Sequence, residues 1–258
     1  MIRKLVGRYF VSVVLLLAAT GFVNAGPFDS CREYVKLGVP GNDGDQLCRK
    51  GYALAHNPET KTAFWVAEHL TREKASAVRA RSNNFQPDPD LEEGDRAELA
   101  DYSKSGFDRG HMAPAGDMRW DEQAMSESFY LSNMSPQVGV GMNRGIWKDL
   151  EEKVREWAIQ RGELYIYTGP IYEGGIAKTI GKNKVAVPTH FYKIVYDPAH
   201  VEAIAFIMLN QKLRTQDMAT YIVTIRDVEA KTKLNFLSRL KKHIQDVIET
   251  ARADGLWE

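Results

Sequence analysis

The stretch Phe107-Asp108-Arg109-Gly110-His111-Met112-Ala113-Pro114 constrains this chain more than any other part of it. Ala113-Pro114-Ala115-Gly116 cannot continue a regular element, so the extended segment before it has to stop at His111. Ser126 to Met134 reads as a second strand, closed by Ser135-Pro136-Gln137 and carrying Asn133 near its end. A helix is expected from Met142 to about Arg161, because Ile146, Leu150, Val154, Trp157 and Ala158 recur at helical spacing. Asn143 then falls on its first turn. Asn143, Trp147, Glu151 and Arg155 form a second ridge in steps of four, each step drifting by about 40°. The ridge is expected to begin on the buried stripe at Asn143 and to end on an exposed flank at Arg155.

The remaining periodicities set the fold class. Thr62 to Leu70 is apolar on both faces, as in a strand covered on both sides. Thr71 to Leu99 is polar and irregular and reads as a long loop, with arginines suited to phosphate contact. Glu163 to Tyr172 reads as a strand broken at Gly169-Pro170. Phe191 to Tyr196 and Val201 to Met208 form a hairpin through Asp197-Pro198-Ala199-His200. Thr224 to Thr232 reads as a short helix, and Leu237 to Arg252 as an amphipathic one carrying Leu240, Ile244, Val247 and Ile248. Strands and helices in this irregular order imply an α+β fold with a mainly antiparallel central sheet flanked by helices. His56 and His69 lack obvious partners and read as structural or surface histidines.

The 258 residues include 34 basic and 34 acidic ones, which argues against attachment to nucleic acid by bulk charge. Any such contact needs a local basic cleft. Residues 1–25 look like a signal peptide: Arg3, Lys4 and Arg8, then an apolar run from Val11 to Ala19, then Val23-Asn24-Ala25. Cleavage would leave 31 basic against 34 acidic residues, net −3. The apolar run is short for a membrane anchor, and it is apolar all round where a mitochondrial presequence is amphipathic. The expected product is exported, periplasmic or secreted, without stable membrane association. In such a chain Cys31 and Cys48 suggest one disulfide, contributing about 3 kcal/mol by loop entropy. No His or Cys partner sits at a metal-finger spacing.

Several motifs in order carry a resemblance to a known family. Phe107-Asp108-Arg109-Gly110-His111, Phe129-Tyr130-Leu131-Ser132-Asn133, Pro136-Gln137 and Asn143-(x)3-Trp147-(x)2-Leu150-Glu151 are similar to the DNA/RNA non-specific endonucleases. That family includes Serratia-type secreted nucleases and the endonuclease G type. The likeness runs from about Gly51 to Tyr172. It implies a ββα-metal catalytic motif within one nuclease domain, residues 26–258, with its core at about 100–161. It implies DNA and RNA as substrates, cut to leave 5′-phosphate ends, and magnesium, or manganese in its place, as cofactor.

The resemblance also assigns roles. His111 is the general base, a task a neutral imidazole suits and which contributes about 10²–10⁴-fold. Asn143 is the direct metal ligand and Glu151 reaches the metal through water. Arg81, in preference to Arg79, is the transition-state arginine. Arg109, Asn133 and Arg155 contact substrate or shape its cleft. Asp108, by contrast, is read from the sequence alone as an orienting or structural carboxylate, not the base. The oligomeric state is left open, a homodimer included. Serine-hydrolase and zinc-protease motifs are missing. The alternative is an exported nucleic-acid binder of the same fold without catalysis.

Overall fold

A computed structural model describes residues 26–258, so the leader expected at 1–25 lies outside the described residues. In chain order the first elements are β1 (Asp45–Cys48), β2 (Ala53–Asn57), β3 (Thr62–Thr71), α1 (Arg72–Ala75), α2 (Leu99–Tyr102) and β4 (Asp108–His111). Then follow α3 (Glu122–Glu127), β5 (Met134–Gln137), α4 (Trp147–Arg161), β6 (Glu163–Ile171), β7 (Thr179–Ile180) and β8 (Val185–Ala186). The chain closes with β9 (His190–Asp197), β10 (Glu202–Leu209), β11 (Ile222–Val223), α5 (Ile225–Thr232) and α6 (Lys242–Thr250). Seven strands form one sheet in the order β1-β2-β3-β6-β9-β10-β11. Every neighbouring pair in it is antiparallel.

Alternation along the strands decides what lies on each face. Val66, Leu70, Leu164, Ile166, Phe191, Val195, Ile204, Phe206 and Met208 join one core with Trp147, Leu150 and Val154 of α4. Trp65, Ala67, Tyr165, Tyr167, Tyr192, Ile194 and Ala205 join a second core with Val228 of α5 and Ile248 of α6. The Cys31–Cys48 disulfide belongs to this second face, its Cα atoms 5.7 Å apart. The first face carries the site.

Four expectations change. The segment 126–134 is not a strand: α3 and a 3-10 turn at Leu131–Asn133 fill it, and pairing begins only at Met134. The reason lies at Asp121, whose carboxylate accepts from Ala124 N at 2.9 Å and caps α3. The helix expected from Met142 starts at Trp147. Gly141, at φ +84°, and Gly145, at φ −145° and ψ −122°, keep residues 139–146 irregular. Asn143 therefore sits in the turn before α4, not on its first turn.

Strand β6 runs unbroken through Gly169-Pro170, because β3 pairs with it only as far as Thr168. Beyond that point β9 is its sole neighbour, an edge position that tolerates proline. The last helix is shorter than its pattern, Lys242–Thr250, and leaves Val247 exposed.

Candidate active site

Strands β4 and β5 form a two-stranded ladder of their own, pairing Asp108 with Gln137 and His111 with Met134. Gly110 is required there. A Cβ on it would stand 2.2 Å from Gln137 Oε1. The chain turns immediately after His111, and Asn133 fixes that turn. Its Oδ1 accepts from Ala113 N at 2.9 Å, and its Nδ2 donates to Ala113 O at 2.8 Å and Ser128 O at 2.9 Å. Asn133 is wholly buried. With both N–H groups engaged it has none left to donate, so the expected substrate contact is replaced by a scaffold role.

His111 lies edge-on to Phe129, ring centroids 5.1 Å apart, with Phe85 at 5.7 Å. It is 8% exposed, and its Nε2 is buried without a partner among the described residues. Burial pushes its pKa down from 6.5 to about 3, and the cations of Arg81 and Arg109 push the same way. The ring is neutral throughout the physiological range.

His111 and Asn143 line the same cleft, of about 1080 Å³. Asn143 donates from Nδ2 to Asp108 Oδ2 at 2.9 Å. A carboxylate only accepts, so this bond fixes which end of the carboxamide is nitrogen, and Oδ1 has no hydrogen-bond partner among the described residues. Arg144 shares Asp108, with Nε 2.9 Å from the same oxygen.

Glu151 lines the cleft one helical turn beyond Trp147 and has no hydrogen-bond partner among the described residues. Burial pushes its carboxyl up to about 7, against the pull of buried Lys193 and with Asp117 adding to the rise.

Arg155 does not reach an exposed flank. Its Nη1 donates to buried Asp117 at 2.8 Å, and its side chain is only 20% exposed. Asp117 belongs to the loop after Pro114, which folds over the helix and covers the position that the ridge alone would expose.

Arg81 lines the cleft and lies 5.0 Å from the Phe129 ring, whereas Arg79 is outside the lining. Arg109 stacks on Phe85 at 4.0 Å and also faces the cleft. Arg119, Arg144, Lys148 and Phe85 complete a largely basic lining that no motif in the sequence marked.

Asp197, His200 and Glu202 form a group that could hold a cation, at the β9–β10 turn. Arg161 already occupies it, donating to Asp197 at 3.0 Å and pairing with Glu202. None of the three lines the cleft.

The family model for DNA/RNA non-specific endonucleases matches residues 32–243. Nuclease C1 of Cunninghamella echinulata var. echinulata is 40% identical over 221 residues, 80% of this chain and 88% of that one. The mitochondrial endonuclease G of Caenorhabditis elegans is 38% identical over 231 residues, 83% and 74% of the two chains. A crystal structure of an EndoG/EndoGI complex superposes with a TM-score of 0.76 at 33% identity, covering 82% of this chain and 92% of that one.

These relatives overturn the expected periplasmic or secreted location. Endonuclease G and several further matching nucleases are mitochondrial by name, and none of the relatives named here is secreted or periplasmic by name. Hydropathy of the first residues reports an apolar segment, and it does not select the membrane that takes the chain up.

Proposed function

This chain belongs to the DNA/RNA non-specific endonuclease family and is an endonuclease; from that premise we propose that it is magnesium-dependent, with His111 as general base and Asn143 as metal ligand. One observation carries the assignment. Asp108 holds the Asn143 nitrogen, so the carboxamide oxygen stays unengaged in a cleft shared with a neutral imidazole. The oxygen of Asn143 is the hard donor that magnesium or manganese takes, with water filling the remaining positions, and the carboxylate of Glu151 would hold those waters. A magnesium ion bound there would supply neutralisation of the charge that builds during hydrolysis.

The protein groups do the rest. His111 Nε2 is buried and has no partner among the described residues, which leaves Nδ1 as the nitrogen that removes a proton from the attacking water. The water oxygen bonds to phosphorus, the bond to the 3′ oxygen breaks, that oxygen takes a proton from water and His111 returns its own to solvent, so the ends left are 5′-phosphate and 3′-hydroxyl. Arg81 stabilises the charge that builds on the phosphoryl oxygens, and Arg109 takes a phosphate oxygen. Arg155, tied on one side to Asp117, adds positive charge beside Glu151. Asn133 keeps His111 in place through the Ala113 peptide.

Contacts confined to phosphates give no sequence preference and admit both DNA and RNA. Supercoiled plasmid incubated with magnesium should become nicked and linear, and chelator should stop the reaction. Cleavage that persists in chelator would remove the metal from the account.

A further inference from the structure

Between β6 and β9, residues 172–189 leave the sheet. A turn of a few residues would join two neighbouring antiparallel strands. This excursion instead builds the β7–β8 hairpin and docks it on the wall of the cleft. Asp101 of α2 accepts from Asn183 N at 3.0 Å and from Asn183 Nδ2 at 2.9 Å. Gly181, at φ +67°, passes so close that a Cβ there would lie 2.2 Å from Asp101 Oδ1. Ala186 N donates to Thr60 O at 3.0 Å, and Val187 N to Lys178 O at 2.9 Å. Ile180 and Val185 bury with Tyr102, Leu131 and Met134 in a small core of their own, and Phe85 and Phe107 of the cleft pack against it. The hairpin is thus fixed relative to His111, one strand away.

What this fixed hairpin exposes is positive. Lys178, Lys182 and Lys184 are all exposed. None has a carboxylate within 4.0 Å among the described residues. Lys178 Nζ lies 4.7 Å from the ring of Phe107, which lines the cleft. Other exposed lysines are paired at some places, as Lys231 is with Glu173 and Lys148 with Glu152, and stand alone and scattered at others. On a sequence with 34 basic and 34 acidic residues, three unpaired lysines on one docked hairpin make a local positive rim.

We propose that the β7–β8 hairpin is a basic rim of the cleft that holds phosphates of a polynucleotide flanking the linkage being cut. The inference rests on the nuclease reading above and adds an extended polyanion, not an isolated diester, as the preferred ligand. The three ammonium groups act as point charges on phosphates, so their contribution is sequence-independent and weakens as salt rises. A small diester has no flanking phosphates and does not reach the hairpin.

The test uses the full chain carrying Lys178→Gln, Lys182→Gln and Lys184→Gln together. Its cleavage of long duplex DNA is measured over a series of salt concentrations with magnesium present. Its turnover of bis(4-nitrophenyl) phosphate is measured beside it. The expected result is a several-fold higher KM on DNA at moderate salt. The dependence of log KM on log salt should flatten by roughly 0.9 for each lysine in contact. Turnover of the small diester should match wild type. An unchanged KM and slope on DNA would overturn the rim. So would an equal loss on both substrates, which would place the damage in the cleft. Wild-type protein that cleaves neither substrate would instead refute the nuclease reading, and the rim with it.

Discussion

Asp108 Oδ2 accepts from Asn143 Nδ2 at 2.9 Å, and this one bond orients the carboxamide so that its oxygen is the end left free of Asp108. Asp108 comes from β4, three residues before His111, so one strand positions both the proposed base and the group that orients the proposed ligand. Removing the carboxylate frees the carboxamide to rotate. Asp108→Ala should raise the magnesium concentration for half-maximal activity by about 10–100-fold, with much of kcat recovered at saturating metal. A magnesium titration reads this directly, and an unchanged curve would separate Asp108 from the metal site.

The pH profile should belong to Glu151 on its acid side. His111, held down to about 3, stays unprotonated through the range usually assayed. Glu151, pushed up to about 7, takes on a proton as pH falls through that value and loses its hold on metal-bound water. kcat/KM should fall below about pH 7, and more magnesium should move the midpoint to lower pH by competition with the proton. Glu151→Gln should be weakly active and should lack this limb. The same midpoint surviving in Glu151→Gln would assign the limb to another group.

Stability should respond to His111 in the acid range. Its native pKa lies below the ordinary 6.5, so between about 3 and 6.5 the unfolded chain binds the extra proton. The stability it contributes is complete above pH 6.5 and is lost as pH falls toward 3. His111→Phe keeps a ring between Phe85 and Phe129 and removes the titration. Urea midpoints at neutral and acid pH should therefore differ less in the variant than in wild type.

The Cys31–Cys48 bond closes a loop with a sequence separation of 17 on the sheet face away from the cleft. The paired change Cys31→Ser and Cys48→Ser should lower unfolding free energy by about 3 kcal/mol in denaturant. Activity per folded molecule should be unchanged, since neither residue lines the cleft.

How much of this was legible in the sequence varies by residue. The antiparallel sheet and α4 followed from alternation and from the stripe at Ile146, Leu150, Val154 and Trp157. Phe129-Tyr130-Leu131 looked like strand because aromatic and branched residues fit a pleated surface, but Asp121 caps a helix just before them. The ridge from Asn143 to Arg155 carried the right residues on the wrong exposure, because Asp117 arrives from a loop 38 positions away. Asn133 could equally have faced substrate or backbone, and only the fold brings Ala113 against it. The clustered cations Arg119, Arg144 and Lys148 have no local pattern at all. They meet only when the loop after Pro114 and the start of α4 face each other across the cleft.

The proposed catalysis depends on a neutral imidazole that takes a proton from water beside an oriented carboxamide. The most direct measurement is the rate of His111→Ala beside wild type on DNA and on RNA, with magnesium and with the fold verified by its melting profile. A loss of about 10²-fold or more on both nucleic acids is predicted. Cleavage near the wild-type rate by a folded His111→Ala protein would contradict it.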